Sequence, residues 1–510
     1  MAIYNFSMAT WFVLTGVDSA MRYRAEILKE KECDMKMVFP SAPDIRDLKL
    51  FTDMGFTCNQ FLAVPVSFSD VDNLEPRVNL GEQLESLKDV LHYTEIQQKE
   101  DSILLKKDGN ILAEISLTKE KTHFYGIQYF NHGCLTRKDY YADVLYSSNI
   151  YETVIKDGAY LAVKTKKLFY NRDGSVALIQ TFYKDQTYNI LPDGRCLNHG
   201  QLLNLFVKKL GLSRNDIVII DRPGNEFSPK TLFEYSDQTK IVAIFHSEHF
   251  FEKGLTVEGE NLNREYWCWF KYSNHIQTMV VSTEEQKECL AGALQHYGFA
   301  VPDIRVIPVV GLKKLSYPLG KRKPKSMVSV SRLHGRKKID WTIYTAIKAH
   351  EIDNEITLDI YGTGSSDYID YLKRLIEENG ASDYITLKGH VDVTEVYRNY
   401  ELFLTTSLWE TFGITLLEAV GSGLALVGLD VRYGNRLFIQ DGCNGYLVPY
   451  NPEHFNEKCP LETDMLAERI VDILSDEKKL EEFSRRSYEI AEQYTRNQIK
   501  EKWYELVGEI

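Results

Sequence analysis

The sequence predicts an α/β protein with two parallel-sheet domains and an antiparallel β-rich insert in the first of them. Two regions alternate short apolar strands with amphipathic helices, a pattern typical of parallel sheets covered by helices on both faces. Between them, Asp-Gly pairs recur among β-rich segments, and Asp-Gly favours the tight turns of β-hairpins. We therefore expect a first α/β domain at residues 1–43 and 199–311, with an insert at residues 44–198. A basic linker follows at residues 312–325, then a second α/β domain at residues 326–485. Residues 486–510 are expected to form a C-terminal helix that packs back on the first domain.

Length and composition exclude several classes of protein. The 510 residues exceed one ordinary domain, and 44% hydrophobic residues are enough to build large cores. A net charge of −13 argues against nucleic acid or an anionic membrane as the main partner. The eight cysteines show no metal-ligand spacing, and no apolar run reaches the roughly 20 residues of a membrane span. We expect a cytoplasmic protein without a structural metal, attached to a membrane at most peripherally.

The first domain contains two candidate site residues, each next to a predicted strand. Gly16 ends the loop between a strand predicted at Ile3–Met8 and a helix predicted at Val17–Lys31, and glycine permits a positive φ angle or close approach of the backbone to a ligand. His246 stands at the carboxyl end of the predicted strand Ile241–His246, where open α/β sheets bind their ligands. An ordinary turn glycine and a structural histidine are the alternatives.

The predicted insert is rich in aromatic residues. On an antiparallel sheet such side chains either fill the sheet's own core or present a face that binds a peptide or a partner protein. The sequence leaves both alternatives open for Phe124, Tyr125, Tyr129, Phe130, Tyr140, Tyr141, Tyr146 and Tyr151.

The segment Leu402–Ser422 has the strand, loop and helix order that binds phosphates in open α/β sheets. Gly413 opens the helix, and the first amides of a helix have no internal acceptor and can bind an anion. Glu410 lies in the loop and Glu418 in the helix, so two carboxylates bracket this anion site, where a carboxylate can hold a sugar or ribose hydroxyl. The alternative is a plain strand-turn-helix with two solvated glutamates.

A second strand-to-helix loop carries positive charge. Arg332 and Lys337 follow an apolar strand that ends at Val330 and precede a helix predicted at Ile339–His350. Their side chains offer donors to phosphate oxygens, so this loop and the Gly413 amides together could neutralise a departing diphosphate. A solvated basic turn is the alternative.

Five motifs follow one another in the second domain: SRLHGRKKID, DIYGTG, LKGHV, TSLWETFGITLLEAVGSG and DGCNGYLVP. This set is specific, covers about 200 residues, and resembles retaining glycosyltransferase family 4, whose GT-B fold places two Rossmann-like domains across a cleft. The insert and the first-domain segments AIYNF, TGVDSAMRYRA and HSEHF resemble more particularly the accessory-Sec glycosyltransferases that modify serine-rich adhesins. The insert also resembles that of a teichoic-acid glycosyltransferase.

The resemblance implies a role for each candidate residue. Arg332 and Lys337 would bind the diphosphate, Glu410 would contact the transferred sugar, and Glu418 would hold the uridine ribose. The helix amides that would bind the phosphates are those at Gly413, Thr415, Leu416 and Leu417. The strand-end backbone that would meet uracil is at His390 and Val391. From the first domain, Gly16 and His246 would complete the donor and acceptor side. The family pattern differs at Arg336 and Trp409, which leaves the donor preference open.

The resemblance also implies the reaction. It is transfer of N-acetylglucosamine from UDP-N-acetylglucosamine to Ser/Thr hydroxyls of a serine-rich adhesin, with retention and without a metal or other cofactor, in complex with a second GT-B subunit. Positive side chains and helix amides would stabilise the charge that develops on the departing diphosphate. Front-face attack and a transient nucleophile such as Glu410 are both compatible with retention. The sequence also leaves open UDP-glucose as donor, teichoic acid as acceptor, and a non-catalytic GT-B subunit that binds or chaperones its partner.

Overall fold

The computed structural model describes residues 1–7, 16–31, 33–53, 55–156, 158–183, 186–222, 230–250 and 262–509. Within these ranges the chain forms three sheets, of seven, ten and six strands. It divides into two compact units, Met1–Ile244 with Arg264–Met279 and Phe245–Asn263 with Val280–Ile510. The predicted fold class, α/β with an antiparallel insert, is confirmed.

The first segment of the chain supplies three strands and three helices. In order they are β1 (Ala2–Ser7), α1 (Gly16–Glu30), β2 (Asp34–Phe39), α2 (Ile45–Asp53), β3 (Phe61–Ala63) and α3 (Leu80–Leu91). β1 pairs in parallel with β2, and β2 pairs in parallel with β3. The predicted first strand and first helix are confirmed, whereas residues 8–15 of the loop between them lie outside the described residues.

A meander of ten antiparallel strands follows. In order they are β4 (Glu95–Gln98), β5 (Ser102–Lys107), β6 (Asn110–Leu117), β7 (Phe124–Asn131), β8 (Cys134–Tyr141), β9 (Leu145–Lys156), β10 (Ala159–Tyr170), β11 (Val176–Tyr183), β12 (Gln186–Ile190) and β13 (Cys196–Asn198). At Asp108-Gly109 both residues have positive φ, 50° and 76°, as a type I′ turn requires. At Gly174 and Gly194 only the glycine has positive φ, and Asp157 lies outside the described residues.

The antiparallel sheet begins later than the sequence predicts. We expect the insert from residue 44, but β3 pairs in parallel with β2, with Phe61 opposite Met37. This strand therefore belongs to the seven-stranded sheet, and the first antiparallel strand starts only at Glu95. β3 has three residues, too few for a recognisable strand pattern, so the sequence does not reveal that this stretch pairs with the parallel sheet.

The aromatic residues of the insert divide into two groups. Four are buried: Phe124, Tyr125, Tyr140 and Tyr146. Phe124 belongs to the sheet's own apolar cluster, which confirms the first alternative for it, whereas the Tyr125 hydroxyl lies 3.1 Å from the Thr52 hydroxyl of α2. The Tyr140 hydroxyl accepts a hydrogen bond from the side-chain amide of Asn149 at 2.8 Å. The other four are half-buried: Tyr129, Phe130, Tyr141 and Tyr151.

The next segment completes the seven-stranded sheet. It contains α4 (His199–Leu210), β14 (Ile217–Arg222), α5 (Lys230–Phe233), β15 (Lys240–Ile244), α6 (Trp267–Lys271), β16 (Thr278–Val281), α7 (Glu284–His296) and β17 (Asp303–Val306). The strand order is β17-β16-β15-β14-β1-β2-β3, so the order reverses between β1 and β14. β15 ends two residues earlier than predicted, and His246 therefore lies just after the strand rather than in it.

The last segment forms the six-stranded sheet and its helices. They are β18 (Ser326–Val330), α8 (Ile339–Ile352), β19 (Thr357–Tyr361), α9 (Ser366–Glu378), β20 (Ile385–Gly389), β21 (Leu402–Thr405), α10 (Ile414–Gly421), β22 (Ala425–Asp430), α11 (Gly434–Phe438), β23 (Gly445–Pro449), α12 (Leu461–Leu474), α13 (Glu477–Glu492) and α14 (Arg496–Glu509). All strand pairs in this sheet are parallel. Two apolar clusters cover its faces, one around Trp341 and one around Phe412.

The C-terminal helix α14 is tied to the segment that precedes the six-stranded sheet. The amide of Arg496 donates to the carbonyl of Leu312 at 2.8 Å, and the Lys502 ammonium donates to the carbonyl of Val306 at 3.2 Å. The predicted boundaries place Val306 in the first domain, but in the structure all these residues belong to the second compact unit. The domain boundaries of the sequence analysis therefore stay a prediction.

Candidate functional site

The strand order of the second sheet shows where a ligand site is expected. The order is β20-β19-β18-β21-β22-β23, so the chain runs outward from β18 on one side and then from β21 on the other. In an open parallel sheet, ligands bind beyond the carboxyl ends of the strands at the point where the order reverses. The loop after β18 carries Arg332 and Lys337, and the loop after β21 carries Glu410.

The structure brings Lys337 and Glu410 together. The Lys337 ammonium donates to Glu410 Oε1 and, at 3.1 Å, to the hydroxyl of Ser407. The two side chains are only 20% and 17% exposed, so the ion pair is partly shielded from water. An ion pair in this setting orders both side chains. When a ligand binds, the ammonium can instead donate to an anion and the carboxylate can accept from a hydroxyl.

Thr406, which follows β21, fixes the backbone next to Lys337 by a hydrogen bond. The Thr406 hydroxyl, just after this strand, donates to the carbonyl of Lys338 at 2.7 Å and lies 2.7 Å from the Thr342 hydroxyl. Lys338 has φ 49° and ψ 48° immediately before α8. The two loops of the site are therefore joined through Thr406, which is buried.

Backbone hydrogen bonds with the loop after β22 fix the backbone of Glu410. Glu410 forms an isolated parallel bridge with Tyr433, and the amide of Gly434 donates to the Glu410 carbonyl at 2.7 Å. A Cβ at Gly434 would lie 2.5 Å from the carbonyl oxygen of Phe412. Only glycine allows the two loops to approach this closely.

Helix α10 begins beside this ion pair and supplies unpaired amides. Gly413 precedes it with φ 82°, and the first intrahelical bond runs from the amide of Leu417 to the carbonyl of Gly413 at 3.0 Å. The amides of Ile414, Thr415 and Leu416 consequently have no acceptor within the helix. The side chains of Leu416 and Leu417 are buried in the core. Leu416 can therefore meet a ligand only through its amide, whereas the Leu417 amide is already paired with the Gly413 carbonyl.

Glu418 lies one turn into α10 and is held by a tyrosine. The Tyr397 hydroxyl donates to Glu418 Oε2 at 2.8 Å. Burial raises the pKa of Glu418 to about 7, against the lowering effect of the Tyr397 hydrogen bond. This carboxyl therefore titrates near neutral pH, and in its ionised form it can accept hydrogen bonds from ligand hydroxyls.

The Arg332 side chain is exposed and makes no hydrogen bond or ion pair with any residue that the structure describes. A hydrogen bond nevertheless fixes the loop that carries Arg332 to the loop after β19, because the amide of Leu333 donates to the carbonyl of Thr363 at 2.8 Å. A Cβ at Gly364 would lie 2.0 Å from the Leu333 carbonyl oxygen. The Gly-Thr-Gly motif thus brings the loops after β18 and β19 into contact.

The other predicted residues lie at neighbouring strand ends. His390 and Val391 follow β20 and are exposed, and their loop is joined to the β19 loop because the amide of Gly362 donates to the carbonyl of Gly389 at 2.8 Å. Gly16 is the first residue of α1 and belongs to the first compact unit, whereas the other candidates belong to the second.

Four residues that shape the site escaped the sequence analysis. Thr406 and Ser407 are polar residues at the end of an apolar strand, a signal that could have indicated them. Tyr397 and Tyr433 are far from their carboxylate partners in sequence, so no local pattern could reveal them. Among the described residues there is no cluster of three or more side chains suited to hold a metal ion.

The arrangement can bind a diphosphate linked to a hydroxyl-rich group. Two cationic side chains and the start of α10 offer donors to phosphate oxygens, and Glu410 and Glu418 offer acceptors to hydroxyls. No helix in the described part of the chain is long and apolar enough to cross a membrane.

Two family models match the chain. One, described as glycosyl transferases group 1, matches residues 324–476. The other, described as the GtfA extended beta-sheet domain, matches residues 93–193. The first match contains Arg332, Lys337, Glu410 and Glu418, and the second spans nearly the whole antiparallel sheet.

Proteins similar over the full length include a UDP-N-acetylglucosamine–peptide N-acetylglucosaminyltransferase GtfA subunit from Streptococcus gordonii. It is 34% identical over 513 residues, which are 100% of this chain and 99% of the relative. A crystal structure of the pneumococcal O-GlcNAc transferase GtfA in complex with UDP and GlcNAc covers 100% of this chain and 99% of its own, with a TM-score of 0.85 and 30% identity.

Two further solved structures are similar. A GtfA/B complex contains a chain that is 34% identical, with a TM-score of 0.83 and coverage of 100% and 99%. A TarM structure covers 99% of this chain and 98% of its own at 19% identity, with a TM-score of 0.73. The TarM similarity shows a shared fold alone.

Proposed function

Since this chain belongs to the family of GtfA glycosyltransferase subunits, we propose that it transfers N-acetylglucosamine from UDP-N-acetylglucosamine to Ser/Thr hydroxyls of a serine-rich adhesin. The transfer proceeds with retention of the anomeric configuration. Full-length similarity to enzymes named for this donor and for peptide acceptors supports the proposal. It is a UDP-sugar-dependent glycosyltransferase with the GT-B fold.

One observation carries the proposal, namely the Lys337–Glu410 ion pair beside the unpaired amides of α10 at the point where the strand order reverses. Lys337, Arg332 and the amides of Thr415 and Leu416 bind the diphosphate. Glu410, released from Lys337, contacts the hexose. The site thus holds a fixed positive environment on one side of the reacting bond and a carboxylate on the other.

The same groups account for the chemistry. The acceptor hydroxyl oxygen bonds to the anomeric carbon, the bond from this carbon to the diphosphate oxygen breaks with its electron pair, and the hydroxyl proton passes to a base. Negative charge grows on the diphosphate and positive charge on the sugar ring in the transition state. Lys337, Arg332 and the helix amides stabilise the former, and the Glu410 carboxylate stabilises the latter.

The nucleoside is held at the other end of the site. Glu418 accepts hydrogen bonds from the ribose hydroxyls, and the backbone at His390 and Val391 meets uracil. Gly16 and His246 keep the roles that the family resemblance implies for them. The family relationship also supports a second GT-B subunit as partner, as in the GtfA/B complex.

A non-catalytic GT-B subunit is the alternative of a different class. The charged set disfavours it, since Arg332, Lys337, Glu410 and Glu418 are all present and two of them already form an ordered pair. UDP-glucose as donor and teichoic acid as acceptor are alternatives within the same class.

Labelled UDP-sugars and two acceptors test the proposal. The purified chain, alone and with its partner subunit, is incubated with UDP-N-acetylglucosamine or UDP-glucose and with a serine-rich peptide or a polyol phosphate. We expect label in the peptide from UDP-N-acetylglucosamine. Transfer to the polyol phosphate alone, or from UDP-glucose alone, would reject the assigned acceptor or donor, and no transfer from either donor would support the non-catalytic alternative.

A further inference from the structure

Tyr433 has an unusual backbone conformation next to the site. Its φ and ψ are 68° and −92°, a region that residues with a side chain rarely occupy. Such a conformation persists only where the surrounding structure enforces it, and strain of this kind concentrates at functional sites. Tyr433 is 2% exposed, so its neighbours can be identified.

Three polar contacts fix Tyr433. Its amide donates to Glu285 Oε2 at 3.1 Å, and its hydroxyl donates to Glu248 Oε1 at 2.7 Å. Its backbone bridges Glu410, and the next amide, of Gly434, donates to the Glu410 carbonyl at 2.7 Å. Tyr433 therefore contacts the loop of the predicted sugar-binding carboxylate with its backbone and a second, half-buried carboxylate with its side chain.

Both carboxylate partners of Tyr433 are themselves held in place. Glu285 also forms an ion pair with Arg436 at 2.7 Å. The loop of Glu248 is held because the side chain of Asn263 donates to the Glu248 carbonyl at 2.8 Å. All these residues lie within the second compact unit, so the contacts form one continuous network around the Glu410 loop.

We propose that Tyr433 is a positioning residue for glycosyl transfer, which holds the Glu410 backbone and the Glu248 carboxylate in one rigid assembly. This inference rests on the proposed function, because it assigns Tyr433 a role through Glu410. It differs from a purely structural role, since the hydroxyl of Tyr433 reaches a group that changes its charge near neutral pH.

Glu248 makes the assembly sensitive to pH. Burial raises the pKa of Glu248 to about 7, while the Tyr433 hydrogen bond, the Arg432 charge and the amides of His249 and Phe250 oppose this. Burial also lowers the pKa of His249 to about 4, so this ring is neutral where Glu248 titrates. Among the described residues, further ionisable neighbours are Glu285, bound to the Tyr433 amide, and Cys289, which faces Tyr433 and Glu248 from α7.

The sign of the pH effect follows from the hydrogen bond. An ionised carboxylate accepts the Tyr433 hydroxyl more strongly than a protonated one, so the assembly is tightest above the pKa of Glu248. At saturating UDP-N-acetylglucosamine, kcat therefore rises with pH around neutrality. Without the hydroxyl the charge of Glu248 no longer acts on Tyr433 through this bond, so the rise of kcat around neutrality should disappear in Tyr433→Phe.

The test compares Tyr433→Phe with Tyr488→Phe in the complete chain with its partner subunit. The Tyr488 hydroxyl donates to backbone carbonyls, those of Ser316 and Ser422 at 2.9 and 3.0 Å, and not to a carboxylate, and Tyr488→Phe therefore serves as the matched control. For Tyr433→Phe we expect kcat to fall about tenfold, the effect of losing one hydrogen bond to a charged group. KM for the donor should stay unchanged, because the donor-binding groups are not altered.

Two further measurements complete the test. In Glu248→Gln the amide oxygen accepts the Tyr433 hydroxyl at every pH, so the rise of kcat around neutrality should disappear. Amide hydrogen exchange at Gly434 should be faster in Tyr433→Phe than in Tyr488→Phe. A Tyr433→Phe enzyme with unchanged kcat and unchanged pH dependence would overturn the inference. If the unmodified chain transfers no sugar, the proposed function fails, and hydrogen exchange alone decides whether Tyr433 positions the Glu410 loop.

Discussion

At the scale of single residues, the ion pair between Lys337 and Glu410 is the most consequential contact. Lys337→Ala removes the charge that faces the diphosphate and leaves Glu410 partly buried without its partner. We expect turnover to fall at least about a hundredfold, the scale seen when one charge-stabilising group is removed. Glu410→Gln should lower turnover similarly, because the amide cannot stabilise positive charge on the sugar.

The matched control is Lys348→Ala on α8. Lys348 also forms an ion pair, with Asp464 of α12 at 2.6 Å, and its side chain is 22% exposed, close to the 20% of Lys337. Its loss should leave turnover unchanged, since neither Lys348 nor Asp464 lies in the loops that form the site. Initial rates of transfer at saturating donor provide the measurement, and a Lys337→Ala enzyme as fast as the control would refute the assigned role.

Glu418 leads to a prediction about UDP binding. Because burial raises its pKa to about 7, the carboxyl is protonated below neutral pH and ionised above it. Ribose hydroxyls donate more strongly to the ionised form, so the affinity for UDP should rise between about pH 6 and 8. Titration calorimetry at several pH values measures this rise, which should be smaller in Glu418→Gln, where only the UDP phosphates still titrate.

Glu468→Gln is the control for this prediction, because Glu468 is exposed on α12. It should reproduce the pH dependence of the unmodified chain, including any contribution from the UDP phosphates. If Glu418→Gln shows the same rise in affinity, another group is responsible and the ribose contact is wrong.

A buried lysine in the insert makes stability depend on pH. Burial lowers the pKa of Lys167 to about 7, against the raising effect of Asp44 and Asp47, and its ammonium donates to the carbonyl of Ala42 at 3.3 Å. Between this value and the ordinary lysine pKa of 10.5 the unfolded chain binds the proton and the folded chain does not. The free energy of unfolding must therefore rise with pH in this window.

Lys167→Met should abolish this contribution. The expected result is a smaller increase of Tm from about pH 7 to pH 9 than in the unmodified chain. Lys166→Met is the control, because Lys166 is the neighbouring residue and is exposed. Equal increases of Tm in the two variants would show that Lys167 keeps its proton in the folded chain.

At the scale of elements, the site is made by loops that contact one another beyond the sheet. Gly364 makes one of the tightest of these contacts, since a Cβ there would lie 2.0 Å from the Leu333 carbonyl oxygen. Gly364→Ala must push the loop after β18, and Arg332 with it, away from β19. We expect UDP affinity to fall by about tenfold or more, because small displacements of positioning groups have large effects.

Gly335→Ala, in the loop after β18 itself, is the matched substitution. A Cβ at Gly335 would meet no atom within 4 Å, and its φ is not in the left-handed region. Calorimetric titration of UDP should therefore give unchanged affinity for this variant. Equal affinities for Gly335→Ala and Gly364→Ala would mean that the loop position does not matter for the nucleotide.

Elements with a strong apolar period were predictable, whereas contacts between distant elements were not. β18, β21 and the start of α10 lie where the sequence predicts, because an apolar run followed by glycine leaves few other conformations. β3 was hidden by its shortness. The strained Tyr433 was hidden because its conformation is enforced by Glu285, Glu248 and the Glu410 backbone.

At the scale of the whole molecule, one part of the insert extends beyond the strands that flank it. β9 pairs with β8 only as far as Ile150, and β10 pairs with β11 only from Lys166. The rest of the β9–β10 hairpin is a two-stranded ribbon, on which Ile155 and Tyr160 are paired with each other and are 70% and 69% exposed. Such a ribbon is only marginally stable unless it contacts another surface.

This ribbon should serve the acceptor or the partner subunit rather than the sugar chemistry. Ile155→Glu combined with Tyr160→Glu places charge on the exposed apolar surface and leaves the Lys337–Glu410 pair untouched. Hydrolysis of UDP-N-acetylglucosamine should continue at the unmodified rate, while transfer to a serine-rich protein should fall about tenfold or more, as expected when interface anchors are lost.

The control is Val90→Glu on α3, where an equally exposed apolar side chain, 70% exposed, lies outside the ribbon. It should leave both hydrolysis and transfer unchanged. Equal loss of hydrolysis and transfer in the ribbon variant would show that the insert supports the fold of the enzyme and does not recognise the acceptor. Loss of transfer alone would separate the two tasks of the chain, because the six-stranded sheet would then hold the donor while the antiparallel insert brings the protein substrate to it.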